Sequence, residues 1–250
     1  MKKKEVCYWC GNLATSKEHV PPKCLFPEDK DVGGIIGRTF RNNLITVPSC
    51  DEHNMSKSNE DEYLMTCLSG RVGNNGVAYI HNATKVKRAI KRNPNLIKIN
   101  DEDIVKLNGK EFPIQWITVD NYKLAHSFEA IARALYYYEK GNCFTGECKI
   151  ISRILTHPDN EKWSSFVEHA IEVIEREQPH WGTELKGYNV DIFIYQFSPI
   201  DGFGCQTLAL TFYKSTKVYV ILSNMTQEEI EKFKPKFKFF NKVIFGDSIN

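Results

Sequence analysis

Apolar positions along this chain fall into three regimes. In the first 70 residues they come in short clusters, with strand-like pieces around Leu13 to Val20 and Leu44 to Val47, then a helical stretch from Asp51 to about Leu68. Between the two strand pieces, Lys23 to Arg41 holds Pro27, Gly33, Gly34 and Gly37, which predicts a surface loop; Arg38 and Arg41 in it are within reach of a phosphate. The turn formers of Gly70-Arg71-Val72-Gly73-Asn74-Asn75-Gly76 mark a boundary.

Beyond that boundary, Thr84 to Arg92 predicts a short helix stopped by Asn93-Pro94, with Val86, Ala89 and Ile90 on one side and Lys85, Lys87, Arg88, Lys91 and Arg92 elsewhere. This most basic segment reads either as a solvated helix face or as a contact to phosphate. Strands follow at Leu96 to Ile99 and Phe112 to Val119.

From Asp120 the pattern turns helical. Leu124, Phe128, Ile131, Leu135 and Tyr138 recur at helical spacing, with Asp120 as N-cap and Gly141 as stop. A second helix, Asn160 to about Arg176, puts Trp163, Phe166, Val167, Ala170, Val173 and Ile174 on one face. Val190 to Phe197, Gln206 to Tyr213 and Val218 to Leu222 then read as strands, the last two joined by a turn at Lys214-Ser215-Thr216-Lys217. Thr226-Gln227-Glu228-Glu229 is a capping box that opens a short helix. The expected class is α+β, in three modules: 1–72, a connector of basic helix and strands over 73–119, and a mixed helical and antiparallel-sheet module over 120–250.

Composition narrows the class without naming a function. The chain has 250 residues, 42% hydrophobic and 26% charged, and no apolar run of membrane-spanning length. Met1-Lys2-Lys3-Lys4-Glu5-Val6 lacks the apolar stretch of a signal peptide, so a cytoplasmic location is expected. In a reducing compartment the eight cysteines are expected as metal ligands or buried thiols rather than disulfides. A net charge of +2 is too small to predict nucleic-acid binding, so any basic footprint is local.

The chemistry is concentrated near the amino terminus. Cys7-Tyr8-Trp9-Cys10 and Cys50-Asp51-Glu52-His53 each space two soft ligands by two residues, the way a turn and a helix start present donors to tetrahedral zinc. Nested between them are Glu18-His19-Val20-Pro21-Pro22 and Asn43-Leu44, and Asn54 follows the last ligand. Histidine accepts a proton near neutral pH, so His19 is the natural general base. A carboxylate and an amide carbonyl, from Glu18 and Asn54, suit Mg²⁺, which prefers oxygen ligands and keeps several waters. Adjacent strand residues point to opposite faces, so Glu18 and His19 can serve one site only if the strand ends or bends there, as Val20-Pro21-Pro22 suggests.

This arrangement resembles the HNH endonuclease family over about residues 5 to 68. The resemblance implies a zinc-stabilised ββα-metal module over 1–72, with structural Zn²⁺ on Cys7, Cys10, Cys50 and His53. It further implies a catalytic Mg²⁺ or Mn²⁺ on Glu18 and Asn54, His19 as base, and Asn43 holding the catalytic loop. Lys57, one turn beyond Asn54, contacts phosphate or braces the helix. Four features depart from the commonest pattern: Glu18 in place of aspartate, His53 in place of cysteine, Asn54 in place of histidine, and Asn43 two residues farther from Cys50, which leaves Asn42 as a rival. His53 could instead be the final histidine of the motif, leaving zinc without its fourth ligand. Because adjacent helix residues diverge by about 100°, His53 and Asn54 can face different metals.

The rest reads as structural. Cys24 and Cys67 are expected as buried or incidental thiols, with Cys24 near enough to compete for zinc; Cys143 and Cys148 lack the nearby second pair that a separate metal site needs, and Tyr136-Tyr137-Tyr138 is expected as packing. The expected function is a metal-dependent endonuclease acting on DNA, as the effector of a bacterial defence or restriction system. The alternative is a zinc-stabilised nucleic-acid-binding or interaction module without catalysis. Residues 120–250 are expected to serve substrate, a protein partner or a homodimer; no membrane partner is expected.

Overall fold

Two turn-forming features organise the amino-terminal segment: the Cys-x-x-Cys turn, which closes on Gly11 with φ +74°, and a short antiparallel ladder. The computed structural model describes residues 5–37, 39–55, 58–107, 109–156, 159–233 and 235. Within it, β1 (Ser16–Val20) pairs with β2 (Ile45–Ser49) so that Glu18 faces Val47 and His19 faces Thr46. The short helix α2 (Asp51–Met55) follows directly, then α3 (Ser58–Ser69).

The segment between β1 and β2 is not the loop its glycines and proline predict. It holds a 3₁₀ turn at Lys23–Leu25 and the helix α1 (Asp29–Ile36). Asp29 and Asp31 in the first turn favour the positive end of the helix dipole, Val32 is buried, and Asp31 pairs with Arg88 at 2.8 Å. Tertiary contacts thus outweigh the helix cost of two glycines.

The basic helix starts earlier than Thr84 suggests. Asn75 caps α4 (Gly76–His81) by accepting from the Ala78 amide, and a π-turn at Asn82–Val86 carries the chain into α5 (Lys87–Arg92). The Thr84 hydroxyl bonds back to the Ile80 carbonyl, so it decorates a helix already under way. Arg88 and Arg92 are tied to Asp31 and Glu62, and Lys85 to Glu28, which leaves Lys87 and Lys91 on the exposed side. A long hairpin follows, β3 (Lys98–Leu107) with β4 (Lys110–Thr118), in a two-stranded sheet of its own.

Helix α6 (Asn121–Lys140) is bounded as the sequence predicts, by the Asp120 side chain accepting from the Lys123 amide and by Gly141 at φ +74°. It packs against β1 and β2 on one side and against β5 (Glu147–Ile151) and β8 (Thr216–Ser223) on the other. The four-stranded sheet is antiparallel in the order β5-β8-β7-β6, with β6 at Phe193–Phe197 and β7 at Gln206–Phe212. Alternate residues serve its two faces. Leu208, Leu210, Val218 and Val220 join the main core, and Ala209 and Tyr219 pack with Val167 and Ile171 of α7 (Glu161–Glu177).

Trp163 and Phe166 of α7 do not join that core. They stack on each other with ring centroids 5.5 Å apart and stay exposed, because the helix turns Val167 and Ile171 inward instead. The main core runs from Cys7 to Leu222 and draws on all three segments of the sequence. No helix among the described residues is long and apolar enough to cross a membrane.

Candidate functional site

The four soft ligands converge. Cys7 and Cys10 come from the first turn, pinned by the Cys7 amide donating to the Asn12 carbonyl and the Tyr8 amide to the Pro48 carbonyl. Cys50 directly follows β2 and His53 lies in the first turn of α2, its amide bonded to the Cys50 carbonyl. The Sγ atoms of Cys10 and Cys50 are 3.8 Å apart, and His53 Nδ1 is 3.1 Å from Cys50 Sγ and 3.9 Å from Cys7 Sγ. All four donor atoms lie within 4.8 Å of one another. Tetrahedral zinc with Zn–S bonds of about 2.3 Å holds its sulfurs about 3.8 Å apart, so this donor set fits a metal ion of that kind.

The electrostatics point the same way. Burial works to raise the Cys7 thiol, but backbone amides of Cys10, Trp9 and Cys50 prevail and its pKa is lowered. The Cys10 thiol is pushed up to about 11 by desolvation and by the sulfurs of Cys50 and Cys7. Several thiolates side by side need a cation between them.

Other cysteines stand apart. Cys24 Sγ bonds the Asp61 carbonyl at 3.2 Å, and burial pushes its thiol up, so it is no competitor for the cluster. Cys143 Sγ bonds the Cys7 carbonyl at 3.2 Å, against the outside of the knuckle.

Glu18 and His19 lie on β1. A narrow cleft at the end of this strand is bordered by Glu18, His19, Val20 and Pro22, by Asp61 of α3, and by Ser127, Ala130, Ile131 and Ala134 of α6. Glu18 and His19 both line it, although β1 pairs regularly with β2 through both of them and on to Val20. The two alanines let α6 approach the hairpin closely. Burial, with the positive charges of Lys23 and Arg41, lowers the His19 pKa. Glu18 also lies against Tyr8, whose phenol is raised by burial first and by this carboxylate second.

The remaining sequence candidates fall into different positions. Asn54 donates from Nδ2 to Ser16 Oγ at 2.8 Å, and Ser16 precedes Glu18 by two residues on the same face of β1. Thus His53 turns to the sulfurs while its neighbour turns to the strand. Asn43 sits exposed in the turn entering β2 with φ +54°, a left-handed conformation that asparagine tolerates. Its neighbour Asn42 accepts from Asn189 Nδ2 through its carbonyl at 3.3 Å. Lys57 and Arg38 lie outside the described residues.

Asp61 is the cleft residue that sequence reasoning misses. It lies seven residues beyond Asn54 in the sequence, within the acidic run Glu60-Asp61-Glu62, and only the fold brings it to the cleft that Glu18 and His19 line. The sole sequence signal was that spacing, which a solvated helix face shares.

No family model matches the chain, and no solved structure matches it. A protein of Acanthamoeba polyphaga mimivirus described as "Uncharacterized protein L539" is 32% identical over 73 residues, 29% of this chain and 26% of that protein. The chain thus matches about a quarter of the length of that relative. The described residues form a mixed α+β fold with antiparallel sheets and a Cys7, Cys10, Cys50, His53 cluster able to hold a metal ion.

Proposed function

We propose that this chain is a metal-dependent endonuclease of the HNH type that hydrolyses phosphodiester bonds, with DNA as its substrate. One observation carries the reading: a four-donor soft cluster lies at one end of the β1–β2 hairpin, and Glu18 and His19 border a cleft at the other. A pure binding module has use for the first of these but none for a proton acceptor beside a carboxylate.

Zinc on Cys7, Cys10, Cys50 and His53 fastens the first turn to β2 and α2, fixing the hairpin and the helix start that carry the second site. Glu18 and Asn54 offer one carboxylate and one amide, a set that leaves most of a hard cation's shell to water, as Mg²⁺ or Mn²⁺ accepts. Such an ion, when bound, supplies charge neutralisation on the scissile phosphate and on the leaving 3′ oxygen.

His19 takes the proton from the attacking water. Its lowered pKa keeps the imidazole neutral and able to accept at physiological pH. Lys23 and Arg41, the cations that act on His19, put positive charge where a phosphate diester approaches. Arg41 is braced for this by the Phe26 carbonyl at 3.1 Å and by Glu28 at 3.3 Å. Asp61 adds a second carboxylate that can hold water on the α3 side. Asn43 shapes the turn into β2.

In this reading residues after about 75 provide affinity and support rather than chemistry, and the modest net charge suits an effector of bacterial defence that waits for a trigger. The test is incubation of the purified full chain with plasmid, linear DNA and RNA, in Mg²⁺, in Mn²⁺ and in chelator. Cleavage of DNA leaving 5′-phosphate ends only with a divalent ion is expected. No cleavage with either ion, even with the products of neighbouring genes added, contradicts the reading.

A further inference from the structure

The β3–β4 hairpin forms a sheet of two strands, and the backbone of one outer edge is unlike the other. The register sets Leu107 opposite Lys110, and hydrogen-bonded and non-hydrogen-bonded pairs alternate along it. Ile104 faces Pro113, Glu102 faces Gln115 and Lys106 faces Glu111, all in the non-hydrogen-bonded class, with their backbone groups turned away from the partner strand. The side chains agree with this orientation. The outward amides of Glu102 and Ile104 are met by the carboxylates of Asp101 and Asp103, at 2.8 and 2.7 Å.

Pro113 therefore turns its missing donor toward the free edge of β4 and blunts it. No proline interrupts β3. Its edge centres on Ile104, which is 60% exposed, with an acid two residues before and a lysine two residues after.

That spacing is self-complementary. If two copies of β3 pair antiparallel about a two-fold axis at Ile104, Ile104 meets Ile104, and each Glu102 meets Lys106 of the other copy on the same face. The outward backbone groups of these three residues match one another, giving about six interchain hydrogen bonds once the Asp101 and Asp103 carboxylates release the Glu102 and Ile104 amides they now hold. Lys106 of one copy would then lie between Glu102 of the other and its own Glu111, to which it is already 3.1 Å away. A row Pro113–Ile104–Ile104–Pro113 crosses the middle. We propose that the chain dimerises through this edge, as a continuous four-stranded sheet β4-β3-β3-β4. The inference does not rest on the nuclease reading.

So short a ladder covers less than a standard interface of about 1,600 Å², so the dimer forms and dissociates with concentration. Sedimentation equilibrium of the full chain from about 1 to about 100 µM tests it. The wild type is expected to shift from monomer to dimer over this range. Lys106→Glu, an exposed change, sets like charges opposite each other twice and is expected to weaken association about tenfold or more. Adding Glu102→Lys restores opposite charges and is expected to restore the dimer. A wild type that stays monomeric throughout overturns the proposal. So does a Lys106→Glu variant that associates like wild type, or a double variant no stronger than the single.

Discussion

Trp9, between the two cysteines of the first turn, stacks on His53 with ring centroids 5.3 Å apart and planes inclined by 20°. The indole is also gripped from α6: the Arg133 guanidinium lies 5.2 Å from its centroid and the His126 ring 5.4 Å away. Arg133 is fixed in turn by the carbonyls of Phe144 at 2.5 Å and Gly146 at 3.0 Å and by Glu129 at 2.7 Å, and His126 by Glu60 at 2.9 Å. The Cys7, Cys10, Cys50, His53 cluster is thus braced by a helix more than 60 residues away in sequence.

Truncating that brace should loosen the metal. Arg133→Ala removes a largely buried cation and leaves two carbonyls without their donor, a loss on the order of 2–4 kcal/mol. Zinc transfer to a colorimetric chelator should be faster in Arg133→Ala and Trp9→Ala than in wild type, with Trp9→Phe intermediate. Equal transfer rates in all four proteins would show that α6 does not support the centre.

Removing a ligand should do more. Cys50→Ser should lose stoichiometric zinc by elemental analysis and lower the melting temperature, because an ion on these four ligands would tie the first turn to β2 and α2. A Cys50→Ser protein that melts with wild type, or a wild type without zinc, contradicts the ligand assignment.

Legibility in the sequence followed the range of the interactions. The convergence of Cys7, Cys10, Cys50 and His53 could be read because two short spacings encode it, and the ends of α6 because Asp120 and Gly141 act on their own neighbours. The α+β class was legible from the change of period along the chain. Helix α1 was not, since its glycines argue locally for a loop while Val32 and the Asp31–Arg88 pair act through distant residues. Asp61 in the cleft, and α6 lying over both sites, were hidden for the same reason. Trp163 and Phe166 misled because hydrophobicity names a face without saying which flank of it meets the sheet.

Acid should find a weak point at His81. The ring is fully buried, neither nitrogen has a hydrogen-bond partner among the described residues, and burial, aided by Lys85, holds its pKa at about 4. The folded state favours the neutral ring, so its contribution is complete above the unfolded value near 6.5 and is lost as pH falls from there toward 4. That loss reaches on the order of 3 kcal/mol. Urea unfolding at pH 7, 6 and 5 should show a steeper decline in wild type than in His81→Leu. Parallel declines would remove His81 as the cause.

Phosphate contact by the basic helix, if it occurs, falls to Lys87 and Lys91, since Arg88 and Arg92 are spent on Asp31 and Glu62. Lys87→Glu with Lys91→Glu should weaken DNA binding and reduce the slope of log affinity against log salt by about 2. An unchanged slope makes this face merely solvated.

The most direct test of the nuclease reading is the single-turnover cleavage rate of His19→Ala beside Glu18→Ala and Asn54→Ala, titrated with Mg²⁺ and Mn²⁺. His19→Ala should keep the zinc content and melting temperature of wild type yet cleave about 10²- to 10⁴-fold more slowly, with no rescue at any metal concentration. Glu18→Ala and Asn54→Ala should regain part of their rate in high Mn²⁺, because they lose affinity for the ion rather than the proton acceptor. A His19→Ala protein that cleaves as fast as an active wild type contradicts the mechanism, even with the zinc centre intact.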